Sequence, residues 1–186
     1  MANKNESPNL IWVDCEMTGL DLNKDVLVEI AVLVTDSELN ILGEGVDLVI
    51  KASPEQLAGM NEFVTNMHTE SGLITEIPSG VELSKAEEEI IAYLEKYAPG
   101  AGKSPLAGNS VGTDRSFIAR DMPLLNAYLH YRTIDVSSIK ELARRWYPRV
   151  YFAAPKKTGN HRALGDIRDS IEELEYYRKA IFIPNN

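Results

Sequence analysis

The side chains best suited to chemistry in this chain are four acids and one histidine, set in three short and widely separated motifs. Asp14 and Glu16 lie in Val13-Asp14-Cys15-Glu16-Met17-Thr18-Gly19-Leu20, and Asp114 closes Gly108-Asn109-Ser110-Val111-Gly112-Thr113-Asp114. His161 and Asp166 bracket His161-Arg162-Ala163-Leu164-Gly165-Asp166. Carboxylates gathered by folding repel one another and resist burial unless a cation neutralises them. Hard divalent cations prefer oxygen ligands, and four carboxylates suit a pair of such ions acting on a phosphodiester. Singly, each acid has a plainer reading: Asp114 as a helix cap, Asp166 as a partner of a helix dipole, Glu16 as a solvated side chain. Together with the histidine they favour a metal-dependent nuclease.

The elements that must position these groups can be read from the pattern of apolar residues. Leu10 to Val13 forms a short apolar run ending in the acids, and Asp14 and Glu16, two apart, share one side of an extended strand. Val26 to Thr35 and Gly43 to Ile50 read as second and third strands with short links, hence an antiparallel meander. Ser84 and Glu87 fit a capping box ahead of a helical stripe of Ala86, Ile90, Leu94 and Tyr97. Pro105 to Gly108 and Thr133 to Val136 read as short strands. The first leads into a helix from about Arg115; the second precedes one that Ser137 could cap. The last helix has the clearest period, through Leu164, Ile167, Ile171, Leu174, Tyr177 or Arg178, and Ile181, and carries Asp166 in its first turns. The fold class expected is α/β: a ribonuclease H-like mixed β-sheet, an antiparallel meander plus short parallel strands, flanked by helices.

The chain has 186 residues, 44% hydrophobic and 25% charged, enough for one globular domain over 9–186 behind a polar lead-in at 1–8. No apolar run reaches membrane-spanning length, and the lead-in lacks the apolar core of a secretion signal. The single cysteine, Cys15, can form no internal disulfide and reads as a small residue buried on the strand face opposite the acids. A cytoplasmic location is the expectation. The net charge of −9 argues against wrapping long nucleic acid. Arg132, Lys140, Arg144, Arg145, Arg149, Lys156, Lys157 and Arg162 nevertheless cluster in sequence, as a basic rim for a short anionic substrate or as solvated helix faces.

On these motifs, joined by Tyr131-Arg132-Thr133-Ile134-Asp135-Val136-Ser137 and Lys140-Glu141-Leu142, the chain resembles the oligoribonucleases in the histidine-bearing branch of the DEDD exonucleases. The resemblance runs from about Asn9 to Ile183. It implies 3′-to-5′ hydrolysis of very short RNA, mainly dinucleotides, to 5′-mononucleotides. Two Mg²⁺ or Mn²⁺ ions would be held by Asp14, Glu16, Asp114 and Asp166, and His161 would serve as the general base.

The same resemblance assigns Leu20 as a wedge between two bases and Phe63 as the ring stacking on the 3′ base, where most relatives carry tryptophan. From residue type alone Leu20 and Phe63 read as core. It places His68 near the substrate and gives Ser110, Arg132 and Ser137 a cap on the 5′ phosphate, with Asp135 supporting that stretch. It also implies a homodimer in which Tyr131 reaches the neighbouring site. Competing readings are an exonuclease acting on longer strands and a non-catalytic dinucleotide binder, which would have no use for a general base.

Overall fold

The computed structural model describes residues 7–155 and 162–183; His161, Lys156 and Lys157 lie outside the described residues. Its sheet has five strands in the order β3-β2-β1-β4-β5. These are β1 Leu10–Met17, β2 Leu27–Thr35, β3 Ile41–Val49, β4 Pro105–Gly108 and β5 His130–Asp135. The first three pair antiparallel, as expected of a meander, and β4 runs parallel to both β1 and β5.

The alternation of β1 decides what each face of the sheet carries. Ile11, Val13, Cys15 and Met17 point into a core shared with α4 Leu83–Tyr97, α5 Gly112–Asp121 and α6 Pro123–Tyr128. Leu10 and Trp12 point the other way, into a core with α7 Val136–Trp146 and α9 Ala163–Ile181. Asp14 and Glu16 continue this second face, so α9 passes over them. Ile167, Ile171, Leu174 and Tyr177 form the buried stripe of α9, as the periodicity predicts. Trp12 is fully buried, and its indole N–H donates to Thr35 Oγ1 at 3.0 Å.

The parallel pairing of β1 with β4 also places α5. A chain leaving the carboxyl end of β4 must emerge at the carboxyl end of β1, beside the acids. Gly108 makes this approach possible, because a Cβ there would lie 2.9 Å from the carbonyl oxygen of Val13.

Two capping expectations need correction. Helix α4 begins at Leu83, and neither Ser84 nor Glu87 caps it. Glu87 is buried, and its Oε1 accepts from the Leu124 and Leu125 amides at 2.8 and 3.0 Å, capping α6 across the core. Helix α7 is capped by Asp135, whose carboxylate accepts from the Ser137 amide, rather than by Ser137 itself. Strand β5 starts at His130, earlier than expected. The helices α1 Pro54–Ala58, α2 Glu62–Glu70, α3 Leu73–Glu76 and α8 Pro148–Phe152 are absent from the sequence-based reading. At four to nine residues they are too short to show a reliable apolar period.

Candidate active site

Among the described residues, Asp14, Glu16 and Asp166 each offer a carboxylate oxygen within 4.8 Å of the others. Strand alternation brings the first two together, and the first turn of α9 delivers the third. Asp114, in the first turn of α5, falls outside this tight trio but is tied to it. Its Oδ1 accepts from the Cys15 amide at 3.0 Å, on the main chain between Asp14 and Glu16. All four predicted acids therefore reach one end of β1.

The electrostatics of this cluster ask for a cation. Burial, then the charges of Glu29, Asp166 and Asp114, push the Glu16 carboxyl up to about 8. Burial raises Asp114 to about 6, against the hydrogen bonds from Cys15 that favour its ionised form. Without a counter-ion Glu16 holds its proton at neutral pH and Asp114 ionises later than a free carboxyl; an all-oxygen donor set of this kind fits a hard divalent ion. Cys15 is buried, and its thiol is pushed well up by burial and the Asp114 charge, so it has no thiolate for redox work.

Three residues to which the sequence reading gave no structural part, Glu29, Glu76 and Arg162, build the wall behind the site. Glu29 sits opposite Glu16 in the β1–β2 register and is fully buried. It accepts from Arg162 Nε at 2.7 Å and from the Ala163 amide at 3.1 Å, which caps the start of α9. Arg162 also grips Glu76 bidentately, at 2.8 and 3.1 Å. Arg162 is therefore a clamp that fixes α9, and with it Asp166, rather than part of a basic rim. Three other cations of that rim are also engaged. Lys140 pairs with the buried Glu173 at 2.9 Å, and Arg144 and Arg145 both pair with Glu141. Arg132 makes no ion pair among the described residues, and its guanidinium lies 5.3 Å from the centre of the Tyr131 ring. The signal for Glu29 is its place inside the β-branched run of β2, since nothing in such a strand favours a charge.

His68, on α2, is fully buried and touches no open surface. Its Nε2 donates to the Met17 carbonyl at 2.9 Å, which leaves Nδ1 facing Glu16 Oε2 at 4.0 Å. It thus backs Glu16 instead of lining the substrate space. Leu20 and Phe63, by contrast, are 74% and 76% exposed, so the core reading of both is wrong. Leu20 borders a cleft of about 660 Å³ lined by Thr18, Gly19, Asp21, Asp25, Gln56 and Asn61.

At the other end, Ser110 adopts a left-handed backbone (φ 53°). Asp135 holds it there, accepting from its amide at 3.0 Å while also capping α7. The Ser110 and Ser137 hydroxyls lie 3.0 Å apart, and Arg132 and Tyr131 are exposed on the edge strand β5.

The family model described as Exonuclease (RNase_T) matches residues 11–174. An oligoribonuclease of Rhodococcus jostii is 63% identical over 176 residues, covering 94% of this chain and 88% of that one. Oligoribonucleases of Streptomyces griseus and Cutibacterium acnes are 62% and 58% identical, covering 94% and 95% of this chain and 87% of each relative. Among solved structures, the zinc-bound complex of Escherichia coli exonuclease I with single-stranded DNA superposes with a TM-score of 0.72 at 15% identity. Exonuclease I of Methylocaldum szegediense gives 0.66 at 19%. This chain spans 41% of each of those longer proteins, and the likeness establishes the fold. With the acids, the sheet and the close relatives in agreement, the chain belongs to the oligoribonuclease family of exonucleases.

Proposed function

We propose that this 3′-to-5′ exoribonuclease hydrolyses short RNA, dinucleotides above all, in a site holding two Mg²⁺ or Mn²⁺ ions. The observation that carries the reading is the convergence of the Asp14, Glu16 and Asp166 carboxylates beneath α9. Asp14, Glu16 and Asp166 would hold one ion, and Asp114, reaching in beside Cys15, would help hold the second. Bound divalent ions supply Lewis acidity, lowering the pKa of a water and taking up charge on the leaving 3′ oxygen. His161, five residues before Asp166, takes the proton from the attacking water, a role suited to an imidazole near neutral pH. Glu29, Arg162 and His68 keep Glu16 and Asp166 in place without touching substrate.

Leu20, exposed at the mouth of the cleft, separates the two bases, and Phe63 offers a π-face for the 3′ base. Arg132, Ser110 and Ser137 close on the 5′ phosphate, which limits the length of RNA that fits. Tyr131 reaches a second copy in a homodimer on this reading, which its 73% exposure on the edge strand supports. None of the described helices is long and apolar enough to cross a membrane, and the enzyme acts in the cytoplasm on this reading. The test compares a 5′-phosphorylated diribonucleotide with a twenty-mer. Faster turnover of the dinucleotide is expected, and a strong preference for the twenty-mer would overturn the reading.

A further inference from the structure

Asn109 has no part in the chemistry set out above, yet its side-chain amide joins the two ends of the site. Its Nδ2 donates to Ser170 Oγ at 2.8 Å and to Glu173 Oε2 at 3.2 Å, and its Oδ1 accepts from Ser137 Oγ at 3.0 Å. Both α9 partners are buried. Ser170 in turn gives its proton to the Asp166 carbonyl at 2.7 Å, one turn back along α9. Lys140 lies 2.9 Å from Glu173 and balances its charge.

The direction of every bond in this chain follows from its anchor. A carboxylate only accepts, so the NH₂ group of Asn109 must face Glu173 and its carbonyl must face Ser137. Ser137 has one proton, and Asn109 takes it. The 3.0 Å contact between the two serine hydroxyls then has to use the proton of Ser110. Ser137 can therefore only accept on that side, and Ser110 is the one hydroxyl of the pair with a proton to turn toward an anion. The Ser110 backbone is fixed as well, since Asp135 accepts from both its amide and that of Ser137.

We propose that Asn109 is a positioning residue for 5′-phosphate recognition. Its amide locks the Ser137 hydroxyl as an acceptor, which makes Ser110 the serine that donates to the phosphate. The proposal rests on the reading of this stretch as the phosphate cap, and narrows it: Ser110 and Arg132 donate to the phosphate, while Ser137 orients Ser110. It adds that the cap is wired to α9, the helix that carries Asp166, so that phosphate recognition and the metal end share one chain of polar side chains, buried at its α9 end.

The test measures kcat/KM for a 5′-phosphorylated diribonucleotide and for the same dinucleotide without the phosphate, and uses their ratio. Asn109→Ala should lower the ratio about tenfold through KM of the phosphorylated substrate, leaving the unphosphorylated one within about twofold. Ser137→Ala breaks the same link without exposing Glu173, and should lower the ratio even if Asn109→Ala folds poorly. In a Ser110→Ala background, Asn109→Ala should change the ratio no further, because the hydroxyl it orients is gone. An equal loss on both substrates, or a further drop in the ratio in the Ser110→Ala background, would overturn the proposal. If Ser110→Ala and Arg132→Ala themselves leave the ratio unchanged, the cap is not there. The underlying reading then fails, and the proposal with it.

Discussion

At the scale of single residues, the fold puts Glu16 where ionisation is costly, and this has a measurable sign. A carboxyl whose folded pKa exceeds its unfolded one binds more protons when folded, so stability is lost as pH rises through the folded value. Glu16 moves from 4.5 to about 8 and Asp114 from 3.8 to about 6, both chiefly by burial. In chelator, urea denaturation should therefore show stability falling between about pH 4 and pH 8. Mg²⁺ should restore more stability at pH 8 than at pH 5. Stability that rises with pH in chelator would contradict the burial of these acids. Arg162 offers a second test. Arg162→Met leaves Glu29 charged and unpaired in the core, and should cost about 3 kcal/mol in urea unfolding. A cost below about 0.5 kcal/mol would show that the pair is no more than a surface contact. The acids of the site were legible because each lies in a short local motif. Glu29 was not, since the arginine that makes its burial tolerable is 133 residues away.

Secondary-structure elements decide how the exposed side chains are presented. The turn from Thr18 to Asp25 carries Leu20 and is bound tightly to itself and to α5. Asp25 accepts from Thr18 Oγ1 at 3.0 Å and from the Asp21 amide at 2.8 Å, while Arg120 donates to the Leu22 and Asp25 carbonyls. A Cβ at Gly19 would sit 2.4 Å from the Asp25 carboxylate, which these bonds hold in place. Gly19→Ala should displace the turn and raise KM for dinucleotides severalfold, with kcat changed little; steady-state kinetics with unaltered KM would show the turn to be pliable. Glu87→Ala should destabilise by about 2 kcal/mol, because two amides at the start of α6 lose their acceptor inside the core. A change under about 0.5 kcal/mol in urea would mean that water replaces it. Helix α9 could be read from sequence because its apolar period spans five turns. The capping roles of Glu87 and Asp135 could not. A glutamate three residues after Ser84 has the spacing of a local capping box, and only the packing of α4 against α6 redirects it.

For the molecule as a whole, one sheet sorts two kinds of surface. The face under α4, α5 and α6 is apolar along its whole length, whereas the face under α9 changes from Leu10 and Trp12 to Asp14 and Glu16 at the carboxyl ends of the strands. That change was visible in the sequence as an apolar run ending in acids. The fate of the cations was not: their run in the sequence suggested a rim, but Lys140, Arg144, Arg145 and Arg162 are each matched by a carboxylate brought near by helix spacing or tertiary packing. Arg132 is left exposed beside Tyr131, which on the proposed reading gives the phosphate of a short substrate its cation in a chain of net charge −9. On the proposed function, the acids at the end of β1 form a divalent-ion centre. Anomalous diffraction from crystals grown with Mn²⁺ and a 5′-mononucleotide tests it most directly. Manganese peaks should lie within about 2.0–2.3 Å of oxygens from Asp14, Glu16, Asp114 and Asp166. Well-ordered carboxylates at these positions with no manganese peak between them would contradict it.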